Sequence, residues 1–204
     1  MRLSDGYHDL PAGKVAFVVT SLAMASRPAS SGVPVADPGV ARSTIRPVVR
    51  PELDWYRDLY RRVGSDWLWA SRLRLSDEAL TTIIHNPAVS VWALVVDGCD
   101  EGLLELDFRV ADECELAFFG LTPSLIGRGA GRLLMDHAIA EAWARPIGRF
   151  WVHTCTGDHP QAPSFYVRSG FVPYRIQVEV TDDPRLEGLL PTTAAPHVAL
   201  LTQR

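Results

Sequence analysis

The chain is nearly without lysine, sparing with cysteine, and has no long apolar run. Lys14 is the only lysine, so 19 of the 20 basic residues are arginine. A P-loop needs Gly-Lys-Ser/Thr, and with no lysine beyond position 14 it is excluded. Cys99, Cys114 and Cys155 are three cysteines with no CxxC pair, an odd count that argues against a disulfide framework. Such usage suits a reducing compartment, and a cytoplasmic location is expected. No stretch reaches the length of about 18 apolar residues that a spanning helix requires, so no membrane segment is expected. Basic excess is missing as well: 24 acidic residues stand against 20 basic ones, for a net charge of −4. No nucleic-acid partner is expected from that balance. What is present is 204 residues, 47% hydrophobic and 22% charged, enough for a full core with a modest appendage.

Three stretches divide the chain. Residues 1–25 contain an apolar run, Val15 to Ala25, rich in β-branched side chains and bounded by turn residues. It reads as an extra N-terminal strand. The alternative is a secretory h-region, since the run follows Lys14 and ends in small residues at Ala23 and Ala25; the acidic Asp5 and Asp9 before it are wrong for that. Residues 26–41 hold three Ser, three Pro and two Gly without periodicity and read as a linker or long loop. Residues 42–204 are the main domain. There Ser43 to Val49 suits a short strand, and Pro51 opens a helix to Val63. Ser76 caps a second helix that runs to about His85. Val89 to Val96 and Glu101 to Val110 read as a hairpin, and Cys114 to Leu121 as a central strand.

Gly129 to about Ala144 is the strongest helix, with Leu134, Ala138 and Ala142 in one row and Met135, Ile139 and Trp143 in the next. Arg149 to Cys155 follows as a strand, Pro160 to Ser169 as a short helix, and Phe171 to Val180 as a long strand. His197 to Thr202 is a candidate last strand. No internal repeat is present. Strands mixed with helices in this way indicate an α/β or α+β protein.

Gly127-Arg128-Gly129-Ala130-Gly131 joins the central strand to the strongest helix. Glycines let backbone N–H groups approach a ligand, and a helix start adds unpaired donors and partial positive charge, which favours phosphate. A dinucleotide fingerprint would need glycine at position 132, which is Arg132. The loop instead resembles the acyl-CoA loop of the GNAT superfamily of N-acetyltransferases, Gln/Arg-x-x-Gly-x-Gly/Ala, with Pro123 upstream and Ile126 in place of the first Gln or Arg. A second family element is an Asn-x-x-Ala-x-x-x-Tyr helix followed by Gly-Phe. Here it reads His159-Pro-Gln-Ala162-Pro-Ser-Phe-Tyr166, then Gly170-Phe171, with His159 replacing Asn. The resemblance covers about Arg42 to Val180.

The resemblance implies a central mixed, mostly antiparallel sheet, splayed in the middle, with helices on both faces. It implies acetyl-CoA as co-substrate and a primary amine, on a small molecule or a peptide, as acceptor. The pyrophosphate is expected on the amides of Gly127, Arg128, Gly129, Ala130, Gly131 and Arg132, with His159 nearby. The pantetheine is expected along Phe119, Gly120 and Leu121, with the Leu121 N–H as oxyanion donor. Tyr166, by its place in the second element, is the expected acid for the departing thiolate.

Glu115 is the candidate base, because a carboxylate in an apolar strand is desolvated and its pKa should rise. Glu105 and Asp107 are rivals on the neighbouring strand. Trp69, Arg72 and His153 are candidate acceptor contacts, with Trp67 and Arg74 in the same segment as the first two. His153 through His159 lacks the second pair a zinc site needs, so no metal is expected. A catalytically silent acyl-CoA-binding module is the alternative function, and an unrelated fold with a structural glycine turn is a third. Oligomeric state is open between monomer and homodimer.

Overall fold

A computed structural model describes residues 4–28 and 43–202. Most of the expected linker, 29–41, lies outside the described residues, as does Arg42. The elements are β1 (Lys14–Met24), β2 (Thr44–Pro47), α1 (Leu53–Gly64), α2 (Asp77–Ile84), β3 (Val89–Val96), β4 (Cys99–Asp107) and β5 (Glu113–Leu121). They continue with α3 (Ala130–Ala142), β6 (Arg149–Cys155), α4 (Ala162–Arg168) and β7 (Val172–Asp182). Ser76 caps α2 by accepting the Ala79 N–H at 3.2 Å. β3 and β4 are joined by Asp97-Gly98, both at positive φ (49° and 82°), the conformation of a tight hairpin turn.

Two expected strands change. β4 ends at Asp107 instead of Val110, because the Asp107 carboxylate accepts both the Arg109 N–H and its guanidinium and turns the chain. The last strand expected over His197 to Thr202 is absent. Two carbonyls of that segment, those of Val198 and Ala199, accept instead from the guanidinium of Arg185, as do those of Ala194 and Ala195 just before it. Backbone acceptors held by an arginine are not free for a ladder.

The seven strands form one sheet in the order β2-β3-β4-β5-β6-β1-β7. Every neighbouring pair is antiparallel except β5 and β6. β1 therefore lies inside the sheet, between β6 and β7. α1 and α2 pack on one face with Val89, Val91, Ala93 and Leu103, joined by Val15 and Phe17 of β1 and by Leu190 and Ala194 of the tail. On the other face α3 lays Leu134, Met135, Ala138, Ile139 and Ala142 against Leu104, Leu106, Leu116, Phe150 and Val152. Those five residues, with the half-buried Trp143 just past the helix end, are the two rows read from the sequence.

Candidate active site

The parallel pair sets the geometry. β5 and β6 touch only at Glu113–Arg149, Cys114–Phe150 and Glu115–Trp151. Beyond Glu115 the strands part, and a cleft of about 530 Å³ opens between them. It is lined by Trp69, Arg72, Glu115, Phe119, Gly120, Leu121, Gly127, His153, His159 and Tyr166, so ten of the sequence-derived candidates meet in one place.

Where β5 lacks a partner, its backbone is open to the cleft. Thr122 N–H bonds to the Glu101 carbonyl of β4, and along an antiparallel ladder the bonded side alternates. Gly120 thus faces β4, while the N–H groups of Phe119 and Leu121 point into the split. Gly120 is required for space, because a Cβ there would stand 2.4 Å from Val63 and 3.1 Å from Trp69. At the end of β5, Gly127 and Gly129 both adopt positive φ (82° and 85°), and Gly129 caps α3. The N–H groups of Gly127, Gly129, Ala130 and Gly131 donate no hydrogen bond among the described residues. A Cβ at Gly127 would meet nothing within 4 Å, so open space lies over these donors. Such a cradle suits phosphate oxygens. Arg128 stays exposed beside it, and Arg132 is tied to Asp136 at 2.8 Å.

The carboxylates separate by their neighbours. Glu105 is wholly buried; it accepts from the Tyr56 hydroxyl and, at 2.6 Å, from Arg72 Nη2. Arg72 in turn stacks 4.8 Å over Phe118. Burial is the main cause that pushes the Tyr60 phenol nearby up to about 12. Asp107 is held by Arg109, whose bonds bring its carboxyl below the usual range despite burial. Both rivals to Glu115 are therefore already bound. Glu115 remains partly open, with its Oε1 at 3.3 Å from His153 Nδ1. The hydrogen bond to Glu115 raises His153 above the ordinary imidazole value against the opposing effect of burial, and the charges of Asp158 and Glu179 add to the rise.

Tyr166 is buried at its ring, beside Phe119 at 6.4 Å and Phe165 at 5.7 Å. Its hydroxyl has no hydrogen-bond partner among the described residues, and burial raises its pKa strongly. His159 packs on Trp67, and its Nδ1 accepts the Gln161 N–H at 3.1 Å, which leaves Nε2 as the free ring nitrogen. Arg74 also borders the cleft, with its guanidinium bonded to Glu187 and to the Asp182 carbonyl.

Several contributors were not singled out from the sequence. Asp158 accepts from Trp69 Nε1 at 3.2 Å and from Thr154 and the Cys155 N–H, so it pins Trp69 across the mouth of the cleft. Glu179 and Thr181 of β7 reach the lining from a strand placed there only by β1. Asp158 lies within the His153 to His159 segment weighed above for zinc, but nothing in that spacing signals its bond to Trp69, 89 positions away. Among the described residues, no group of three or more His, Cys, Asp or Glu could hold a metal ion. Nor is any helix among them long and apolar enough to cross a membrane.

A sequence model of the Acetyltransferase (GNAT) family matches residues 53–171. A mycothiol acetyltransferase from Beutenbergia cavernae is 27% identical over 124 residues, which cover 60% of this chain and 35% of that protein. The chain thus spans about a third of the length of that curated relative. A GCN5-related N-acetyltransferase from Sphaerobacter thermophilus superposes with a TM-score of 0.54 at 16% identity, over 88% of this chain and 53% of that one. The GNAT domain of S. lividans PAT gives 0.52 at 20% identity, over 69% and 90%. Those two likenesses show the fold. The family match is of sequence and runs from α1 through the glycine loop and α4 to Phe171, more than half of the chain. With the splayed sheet and the open edge of β5 it leads to one conclusion: the chain belongs to the GNAT acetyltransferase family.

Proposed function

We propose that this chain transfers the acetyl group of acetyl-CoA to a primary amine on a small molecule or peptide, by direct attack in a ternary complex. One observation carries the reading: an unpaired strand edge, Phe119 to Leu121, leads straight into a set of unbonded amides at the start of α3. Gly127 to Arg132 would hold the pyrophosphate, and the edge of β5 would bind the pantetheine as an added strand. Acetyl-CoA supplies an activated thioester carbonyl. The Leu121 N–H, which points into the split, would stabilise the oxyanion, and the Tyr166 ring stands 6.4 Å from Phe119 beside that edge. The free Tyr166 hydroxyl donates to the sulfur. On the opposite side of the sheet, Glu115 and His153 accept the proton of the attacking amine, and the carboxylates of Glu115 and Glu179 favour a cationic acceptor there.

A covalent acyl-enzyme is disfavoured. Cys155 is the cysteine that lines the cleft, and burial pushes its thiol up to about 12, so little thiolate forms at neutral pH. The three free thiols also accord with a cytoplasmic protein.

Calorimetric titration with acetyl-CoA, followed by thiol release with a panel of amines, tests this reading. Gly127→Asp is the informative variant: Asp tolerates positive φ better than most residues, and the site has room for it. A carboxylate in the cradle should weaken acetyl-CoA binding at least about tenfold. Binding without thiol release from any amine would favour the non-catalytic module, and no binding by the parent protein would remove the cofactor assignment.

A further inference from the structure

β7 is the outer strand of the sheet, eleven residues long, and every one of them except Thr181 is exposed. Its backbone polarity follows from β1. Val18 bonds through both its N–H and its carbonyl to Thr156, beyond β6, so the odd-numbered residues of β1 face β7. Those residues are in register with Arg175, Gln177 and Glu179. Ile176, Val178 and Val180 then direct their N–H and C=O groups outward, away from the sheet. Their side chains are 72%, 50% and 51% exposed, and Val18, opposite Val178, is 45% exposed on the same face. A long, apolar, unpaired edge of this kind is a template for another strand.

The charges identify the occupant. Arg175 and Glu179 make no ion pair among the described residues. If β7 pairs antiparallel with a second β7 about a two-fold axis at Gln177, Arg175 falls opposite the partner's Glu179. Symmetry repeats the contact in the other direction. The same register sets Ile176 against the partner's Val178 and joins the outward-facing amides. An axis at Ile176 would place Arg175 opposite Gln177, and one at Val178 would place it opposite Thr181, so neither matches the charges. Opposed charges directly across an antiparallel pair are stabilising, and like charges there are not.

We propose that β7 pairs with β7 of a second copy of this chain, antiparallel about Gln177, and joins the two seven-stranded sheets into one. Glu179 then faces the partner while it also lines the cleft, so the interface adjoins the acceptor side of the active site.

Sedimentation velocity of the full chain over a concentration series tests this, with far-UV circular dichroism to verify folding of each variant. The parent chain is expected to form a dimer, with slow amide exchange at Ile176, Val178 and Val180. Arg175→Glu sets like charges together twice per dimer and should weaken association at least about tenfold, with fast exchange at those amides. The double variant Arg175→Glu, Glu179→Arg restores the pairing and should restore the dimer. A monomer at every concentration would overturn the proposal, as would a dimer that Arg175→Glu leaves intact. Slow exchange at the three amides in a monomer would also overturn it, since the chain's own residues would then cover the edge.

Discussion

Glu105 and Glu115 carry the same side chain on adjacent strands and face the same side of the sheet, yet they are held differently. Glu105 is saturated by Tyr56 and Arg72 in full burial, and removing one partner there would leave an uncompensated charge. Glu115 has His153 alone and opens to the cleft. In the proposed reaction His153 must be neutral to accept a proton, while its bond to Glu115 favours the protonated form. Activity should therefore rise with pH, with the acidic limb of kcat/KM above the ordinary imidazole value of about 6.5. Glu115→Gln removes the largest cause of the upward shift, so the limb should move to lower pH while kcat falls roughly a hundredfold. A pH–rate profile that keeps its limb in the variant takes the pair out of the mechanism.

Residues 183–199 illustrate how one side chain can shape an element that sequence patterning misread. His197 to Thr202 carries a short apolar run, Val198 to Leu201, as a buried strand can, but a strand also needs a free neighbour, and nothing local reports that. Arg185 is buried against Asp183 at 2.7 Å and gathers four tail carbonyls, which places Leu190 and Ala194 in the core under α1 and α2. Arg185→Ala should destabilise the fold by about 3–5 kcal/mol, because Asp183 would remain buried without its partner. Thermal and urea unfolding measure this. Burial raises the Asp183 carboxyl, but the bonds from Arg185 outweigh it and the net value is lowered. A carboxyl depressed in the folded state contributes stability above its unfolded value of about 3.9, and that contribution is lost as pH falls through the folded value. The stability gap between parent and variant should therefore be widest near neutral pH and narrow as pH falls through the folded value. By contrast the α3 helix was readable at once, because its buried rows lie within one amphipathic segment and need no distant partner.

At the scale of the molecule, β1 is the strand that binds the second half of the sheet together. β7 touches the sheet only through β1, and β6 past Trp151 borders β1 on one side and the cleft on the other. Leu22 and Met24 enter the α3 core, while Val15 and Phe17 enter the α1 core, so the strand is anchored on both faces. Deletion of residues 1–24 should abolish cooperative unfolding and acetyl-CoA binding, although it removes no residue of the glycine loop. A truncated chain that keeps its melting transition would contradict this. The family match, confined to residues 53–171, includes neither β1 nor β7.

The sequence by itself determined what is local: the helix rows, the Ser76 cap, the hairpin turn and the strand–glycine loop–helix order that marked the family. These signals depend on neighbours within a turn or two, where spacing dictates geometry. Only the tertiary structure decided which strands lie side by side. Register across a sheet depends on contacts between residues far apart in the chain, such as Tyr56 to Glu105 across 49 positions or Trp69 to Asp158 across 89. It was that long-range pairing which gave Glu115 its histidine, bound its two rivals to other partners, placed β1 between β6 and β7, and left one long edge of the sheet without a neighbour.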